Sequence, residues 1–145
     1  MVQRFTLINK LSDIYEQSCK PICQKLKLPL SAFSILMFLS NHPECYTAKD
    51  ISKSLSMKPS IVSFNVDKLV HMGYLSRLPV PEDRRQIKLM CTEKAQAIIE
   101  KGKRVQREMF DSLTMGLSQE DLRQFTQYLD KLADNASLFQ ANFHF

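Results

Sequence analysis

Between Phe5 and Leu26, apolar or weakly polar residues fall at Ile8, Leu11, Tyr15, Cys19, Ile22 and Leu26. Gaps of three and four put them on one stripe of a helix. Pro21 interrupts the stripe, and a missing N–H with a fixed ring predicts a kink or an end there. A second helix is expected over Ser31–Asn41, before Pro43. With Phe33, Ile35, Leu36 and Leu39 it is apolar on most of its surface, as the central helix of a core would be.

The next stretch, "TAKDISKSL", starts with Thr47 three residues ahead of Asp50, the spacing of a capping box. Ile51 and Leu55 then point inward. After the short turn "SMK", Pro59 suits the first turn of another helix, running to about Met72. Val62, Val66 and Leu69 form its buried stripe, and Gly73 is a natural stop.

Beyond Gly73 the period changes from 3.6 to 2. In "QIKLMC", Ile87, Leu89 and Cys91 alternate with Gln86, Lys88 and Met90, and "YLSRLPV" supplies a partner strand. The tip between them, Pro81, Glu82, Asp83, Arg84 and Arg85, holds two arginines and two carboxylates. Thr92 is placed to cap a helix over Glu93–Leu113, and Ser118 opens a last one. There Leu122, Phe125, Leu129, Leu132, Ala136 and Phe139 make a heptad-like seam. The expected fold class is therefore mainly α with a small β-hairpin wing: a winged helix-turn-helix, residues 30–92, between N- and C-terminal dimerisation helices, residues 1–27 and 93–145. All belong to one domain of 145 residues.

Charge sharpens this order. Residues 1–45 carry a net +2, residues 46–107 carry 13 basic and 6 acidic side chains for +7, and residues 108–145 carry −4. A basic middle suggests a polyanion met by that part alone. The second helix of such a pair is the groove reader. With Val62, Val66 and Leu69 inside, Ser60, Ser63, Phe64 and Lys68 turn outward. The serines suit phosphate or base edges, and Phe64 a thymine methyl. Lys49, Lys58 and Pro59 sit near helix starts, where backbone N–H groups favour phosphate. Arg84 and Arg85 at a hairpin tip can reach the adjacent minor groove. Double-stranded DNA is the expected partner. The runner-up is a winged-helix module that binds protein instead, through Ile61, Phe64 and Val70.

Taken together, "LPLSAFSILMFL", "TAKDISKSLSMKPSIVSFNVDKLVHMGYLSR" and "PEDRRQIKLMCTEKA" resemble the MarR family of bacterial transcriptional regulators. Leu69, Gly73, Arg77, the Asp83-x-Arg85 tip and Thr92 carry the resemblance. It implies a homodimer with interleaved terminal helices, each subunit presenting one winged helix to half of a palindromic operator. It also implies that Asp83 braces Arg85 in the minor groove; with Arg85 so aimed, Arg77 and Arg84 are expected to meet phosphates. The chain departs from the family at Asn65, where an apolar residue is usual, at Phe64, where a polar one is common, and at Cys91 and Ala95, which replace Leu and Gly. The expected function is a transcriptional regulator of the repressor type, released by a small-molecule effector or an oxidant.

The termini independently point to a homodimer. Phe5, Ile8, Leu11, Tyr15, Phe125, Leu129, Leu132 and Phe139, with Phe143 and Phe145, offer more apolar surface than one small winged domain covers.

Cys19 and Cys23 stand one helical turn apart and are the candidate redox pair. Lys20 and Lys25 nearby could lower a thiol pKa, though only weakly if exposed, and two small apolar fillers are the simpler reading. His42, Glu44 and Cys45 are the only cluster of metal-ligand types, with His71 and His144 distant, and the spacing does not suggest a metal site. No cofactor is expected. Nor is an enzyme, since no phosphate loop, nucleophile elbow or HExxH occurs. No apolar run reaches the roughly 18 residues of a membrane span and no targeting segment is evident, which leads to a cytoplasmic expectation with the four cysteines as free thiols.

Overall fold

The structure is a computed structural model that describes residues 2–142. Phe143, His144 and Phe145 lie outside the described residues. Among the described residues, six helices and one hairpin follow in order: α1 Val2–Leu26, α2 Leu30–Asn41, α3 Ala48–Ser54, α4 Pro59–His71, β1 Leu75–Val80, β2 Asp83–Cys91, α5 Glu93–Leu113 and α6 Gln119–Asn142. This is the mainly helical winged fold expected from the sequence. The chain divides into two compact units, one up to Arg107 and one from Glu108.

In the first unit everything is arranged around α2. Ala32, Phe33, Ile35, Leu36, Met37, Phe38 and Leu39 are all buried, so this helix is covered on nearly every side. The C-terminal half of α1 brings Cys19 and Cys23, α3 brings Ile51, α4 brings Val62, Val66 and Leu69, and α5 brings Ala95, Ile98 and Ile99. The closest approach is at Gly102 on α5. A Cβ there would meet the Met37 thioether and come within 2.9 Å of Phe33 Cζ.

Pro21 does not end α1, which runs on to Leu26. An interior proline removes one backbone donor, and the neighbouring residues Cys19 and Cys23, both buried, hold this part of the helix on the core. The helix stops five residues later. Lys27 takes φ +52°, and Leu28 N–H donates back to Cys23 C=O at 3.0 Å. The same closure ends α3, with Ser56 at φ +51° and Met57 N–H on Ser52 C=O at 3.1 Å. It ends α4 as well, with Gly73 at φ +77° and Tyr74 N–H on Leu69 C=O at 2.8 Å. Each is a Schellman-type stop, in which a left-handed residue lets the chain satisfy helix-end carbonyls.

The capping box of α3 is formed in both directions: Asp50 N–H donates to Thr47 Oγ1 at 3.1 Å, and Thr47 N–H donates to Asp50 Oδ2 at 2.9 Å. Thr92, expected to cap α5 with its side chain, instead donates its hydroxyl to Gly73 C=O at 2.6 Å, while its N–H donates to Tyr74 C=O at 3.0 Å. It ties the end of the wing to the end of α4.

The hairpin is antiparallel and pairs Leu75 with Cys91, Arg77 with Leu89 and Pro79 with Ile87. Val80 then pairs with Asp83, so the turn proper is Pro81–Glu82 alone. Asp83, Arg84 and Arg85 belong to β2 rather than to the tip. Between Pro79 and Val80 the register slips, leaving Arg84, Arg85 and Gln86 opposite no residue of β1. Pro79 has no N–H to give to the ladder, which favours such an irregularity. Alternation along β2 is as expected, but Ile87 is half exposed because the wing extends beyond the body that buries Leu89. Leu89 N–H donates to Tyr46 C=O at 2.8 Å, anchoring the wing to the loop before α3.

In the second unit, Gly116 at φ +88° follows α5, and Ser118 and Asp121 form a second reciprocal capping box. The helix α6 has no buried residue.

A valine at position 102 is expected to lower stability by roughly 1–3 kcal/mol through overpacking against Phe33 and Met37. Urea unfolding of Gly102→Val should show a lower midpoint with an unchanged slope.

Candidate nucleic-acid interface

Pro59 at the first position and the turn at Ser56 start α4, which has one face inside and one outside. Val62, Asn65, Val66 and Leu69 are buried, while Ser60, Ile61, Ser63 and Phe64 are exposed. Lys68, expected to point outward, is half-buried, and so is Val70, which packs against the core. Asn65 is only 2% exposed. Its amide donates to Ser31 Oγ at 3.1 Å and to Ile61 C=O at 2.9 Å, while its Oδ1 has no partner among the described residues. A polar clip thus joins the middle of α4 to the start of α2.

Five of the expected interface residues, Lys49, Pro59, Ser63, Arg77 and Arg85, line two adjoining clefts. Lys49, Pro59, Ser63, Arg77 and Ile87 line one of about 590 Å³ between α3, α4 and the hairpin. Lys49 and Arg85, with Tyr46, Asp50 and Ile87, line another of about 660 Å³ between the loop before α3 and the wing. Lys49 is common to both. Arg84 and Lys58 are exposed but line neither.

Two side chains differ from expectation. The Arg77 guanidinium forms an ion pair with Asp67 on α4, so it braces the strand against the reading helix instead of standing clear for phosphate. Sequence reasoning overlooked Asp67, because nothing local links two residues on separate elements. Asp83 accepts a hydrogen bond at Oδ1 from the backbone N–H of Arg85 at 3.0 Å. Its hold on Arg85 is through the main chain. Two further cations lie over rings: Lys88 Nζ is 5.1 Å from the Tyr46 centroid and Lys94 Nζ 5.0 Å from that of Tyr74.

Of the dimerisation candidates, Phe5 and Ile8 are exposed, whereas Leu11 is half-buried within the chain. The half-buried Tyr15 hydroxyl accepts from Gln106 Nε2 at 2.9 Å, and Gln106 Oε1 accepts from Asn41 at 3.3 Å. Phe125 and Leu129 are about 40% exposed, and Leu132 and Phe139 about 60%.

All four cysteines are free thiols. Cys19 is fully buried and Cys23 nearly so, and burial pushes both thiols above their ordinary value. Lys20 and Lys25 are both exposed, where their effect on a thiol is weak, and desolvation dominates. His42 Nδ1 lies 3.4 Å from Glu44 Oε1, and the Cys45 thiol donates to the same oxygen at 3.9 Å. Among the described residues, no group of three or more His, Cys, Asp or Glu is disposed to hold a metal ion, and no single helix is long and apolar enough to cross a membrane.

A short two-helix turn, an outward-facing second helix and a hairpin tied to both make the first unit a winged helix-turn-helix. Residues 28–87 match the family model described as MarR family. Over that stretch, which holds the helix-turn-helix and most of the wing, the chain is similar to the MarR family of regulators. It is 26% identical over 94 residues to the regulator PecS of Dickeya dadantii, an alignment that takes in 63% of this chain and 57% of PecS. Its fold matches a MarR regulator of Methanosarcina mazei with a TM-score of 0.76 at 20% identity, covering 94% of this chain and 97% of that one. It also matches a point mutant of S. aureus MepR bound to an oligodeoxyribonucleotide, with a TM-score of 0.60 at 22% identity over 92% and 97% of the two chains.

Because burial raises both thiols, native Cys19 and Cys23 hold less thiolate at pH 8 than an unfolded chain does. The unfolded chain releases its thiol protons first, so stability declines as pH climbs above the ordinary thiol range. Alkylation by iodoacetamide followed by peptide mass analysis should label Cys45, which is partly exposed, well before Cys19 or Cys23.

Proposed function

We propose that this chain is a homodimeric, DNA-binding transcriptional repressor that holds a palindromic operator and is released by a small effector molecule. The observation that carries this is the outward face of α4 next to a cleft lined by Lys49, Lys53 and Arg77, with Arg84 and Arg85 exposed on the wing. Ser60, Ser63 and Phe64 enter the major groove, Lys49 and Lys58 meet phosphates, and Arg85 reaches the minor groove. Support comes also from the oligonucleotide-bound MepR relative, which shares the fold. Of the two triggers, ligand and oxidant, a ligand is better supported, because burial encloses Cys19 and Cys23 and disfavours their thiolate forms.

The homodimer follows from α6. An exposed seam of Phe125, Leu129 and Leu132 on a helix with no buried residue needs a partner surface, and a second copy supplies an identical one. Leu132→Glu is expected to shift the protein toward monomer in sedimentation velocity and to weaken operator binding at the same protein concentration.

Fluorescence anisotropy with duplexes from its own promoter tests the DNA reading. Affinity should fall steeply between 50 and 200 mM salt, in the manner of counterion release. Salt-insensitive binding, or no preference over random duplex, would defeat it. Arg85→Ala should weaken binding with little change in melting temperature, since an exposed charge adds about 0–1 kcal/mol to stability. Asp83→Ala should also weaken binding even though it makes the wing more positive, because its carboxylate fixes the backbone at Arg85. Tighter binding by that variant would show that charge alone governs the wing.

A further inference from the structure

We propose that α4 reads its half-site through thymine methyl groups, with Phe64 as the specificity-determining residue and Ile61 beside it. This rests on the DNA-binding reading above and specifies which base edges that helix selects.

Phe64 is 68% exposed and Ile61 44%, three residues apart and so neighbours on one face of the helix. They stand among polar groups with little capacity to discriminate bases. Guanine is selected chiefly by bidentate Arg or Lys, and adenine by bidentate Asn or Gln. The helix Pro59–His71 contains no arginine and no glutamine. Its one asparagine is turned inward, with both amide bonds given to Ser31 and Ile61. Its one lysine, Lys68, is half-buried in the third turn, and its one carboxylate, Asp67, is engaged by Arg77. What remains outward in the first two turns is two hydroxyls, which bond to any base, and two large apolar side chains.

An exposed phenyl group on a groove-reading helix needs an apolar counterpart. The major groove offers one such group, the C5 methyl of thymine. Charge favours nucleic acid over a protein partner for this face, because exposed Lys58 precedes Ile61 by one helical turn, Lys49 lines the cleft shared with Pro59 and Ser63 of the same helix, and Arg84 and Arg85 are exposed on the wing. These cations provide phosphate contacts without sequence information, leaving discrimination to the apolar pair.

The test is to select tight-binding duplexes from a random pool and compare each with its counterpart carrying deoxyuridine in place of every thymidine. The exchange removes only methyl groups and keeps all pairing and groove hydrogen-bond groups. Wild-type protein is expected to bind the uracil duplex more weakly, by about fourfold for each methyl buried. Phe64→Ala should bind both duplexes equally, near the wild-type affinity for the uracil form, and Phe64→Leu should restore part of the preference. Because Phe64 is exposed, the variants should fold normally, which circular dichroism verifies. Equal binding of both duplexes by wild type overturns the methyl reading and leaves the DNA-binding reading standing. A thymine preference that survives in Phe64→Ala overturns the assignment to Phe64. Binding to no duplex at all overturns both readings.

Discussion

A helix with no polar face must be enclosed, and α2 imposes that requirement on the first unit. Seven of its twelve residues are buried. No single neighbour can cover such a cylinder, so α1, α3, α4, α5 and the base of the wing all contribute side chains to it. The placement of α3, α4 and the wing follows. The helix α4 lies where it does because Val62, Val66 and Leu69 complete the enclosure, and its outer face is what is left over. Gly102 shows how tight the enclosure is: the absence of one Cβ lets α5 approach Phe33 and Met37.

Within this frame the buried Asn65 is a departure with a cost. An amide oxygen without a partner in an apolar setting is unfavourable by about 1–3 kcal/mol. The amide nitrogen offsets part of this by bonding Ser31 and the Ile61 carbonyl, and it fixes the rotation of α4 about its axis where packing of smooth apolar groups alone would be more permissive. Likewise, the Arg77–Asp67 pair contributes little to stability but links strand and helix across the surface.

Most of the fold was legible in the sequence because periodicity is local. The period change after Gly73, the capping box at Thr47 and the seam after Ser118 each declare an element within a dozen residues. What was not legible depended on residues brought together from a distance. Arg77 reads as a phosphate ligand until Asp67 is placed beside it. Thr92 reads as a cap until the Gly73 carbonyl is within reach of its hydroxyl. Whether Lys20 and Lys25 act on the Cys19 and Cys23 thiols depends on exposure, which spacing alone does not give. The tip of the wing was misjudged by three residues, because strand pairing with a slipped register leaves no mark on alternation.

The three left-handed corners at Lys27, Ser56 and Gly73 also determine where the chain tolerates a change of length. Each corner reverses direction within one or two residues, under hydrogen bonds that count residues back to a fixed carbonyl. An inserted residue there breaks the count and displaces the next helix from the core. The wing is different. Its two strands already differ in length between Pro79 and Val80 on one side and Ile87 and Asp83 on the other, and its end is free of the core. Insertions and deletions among relatives should therefore collect in the wing, so that its reach varies from one protein to another while the angle between the two helices of the reading head stays constant.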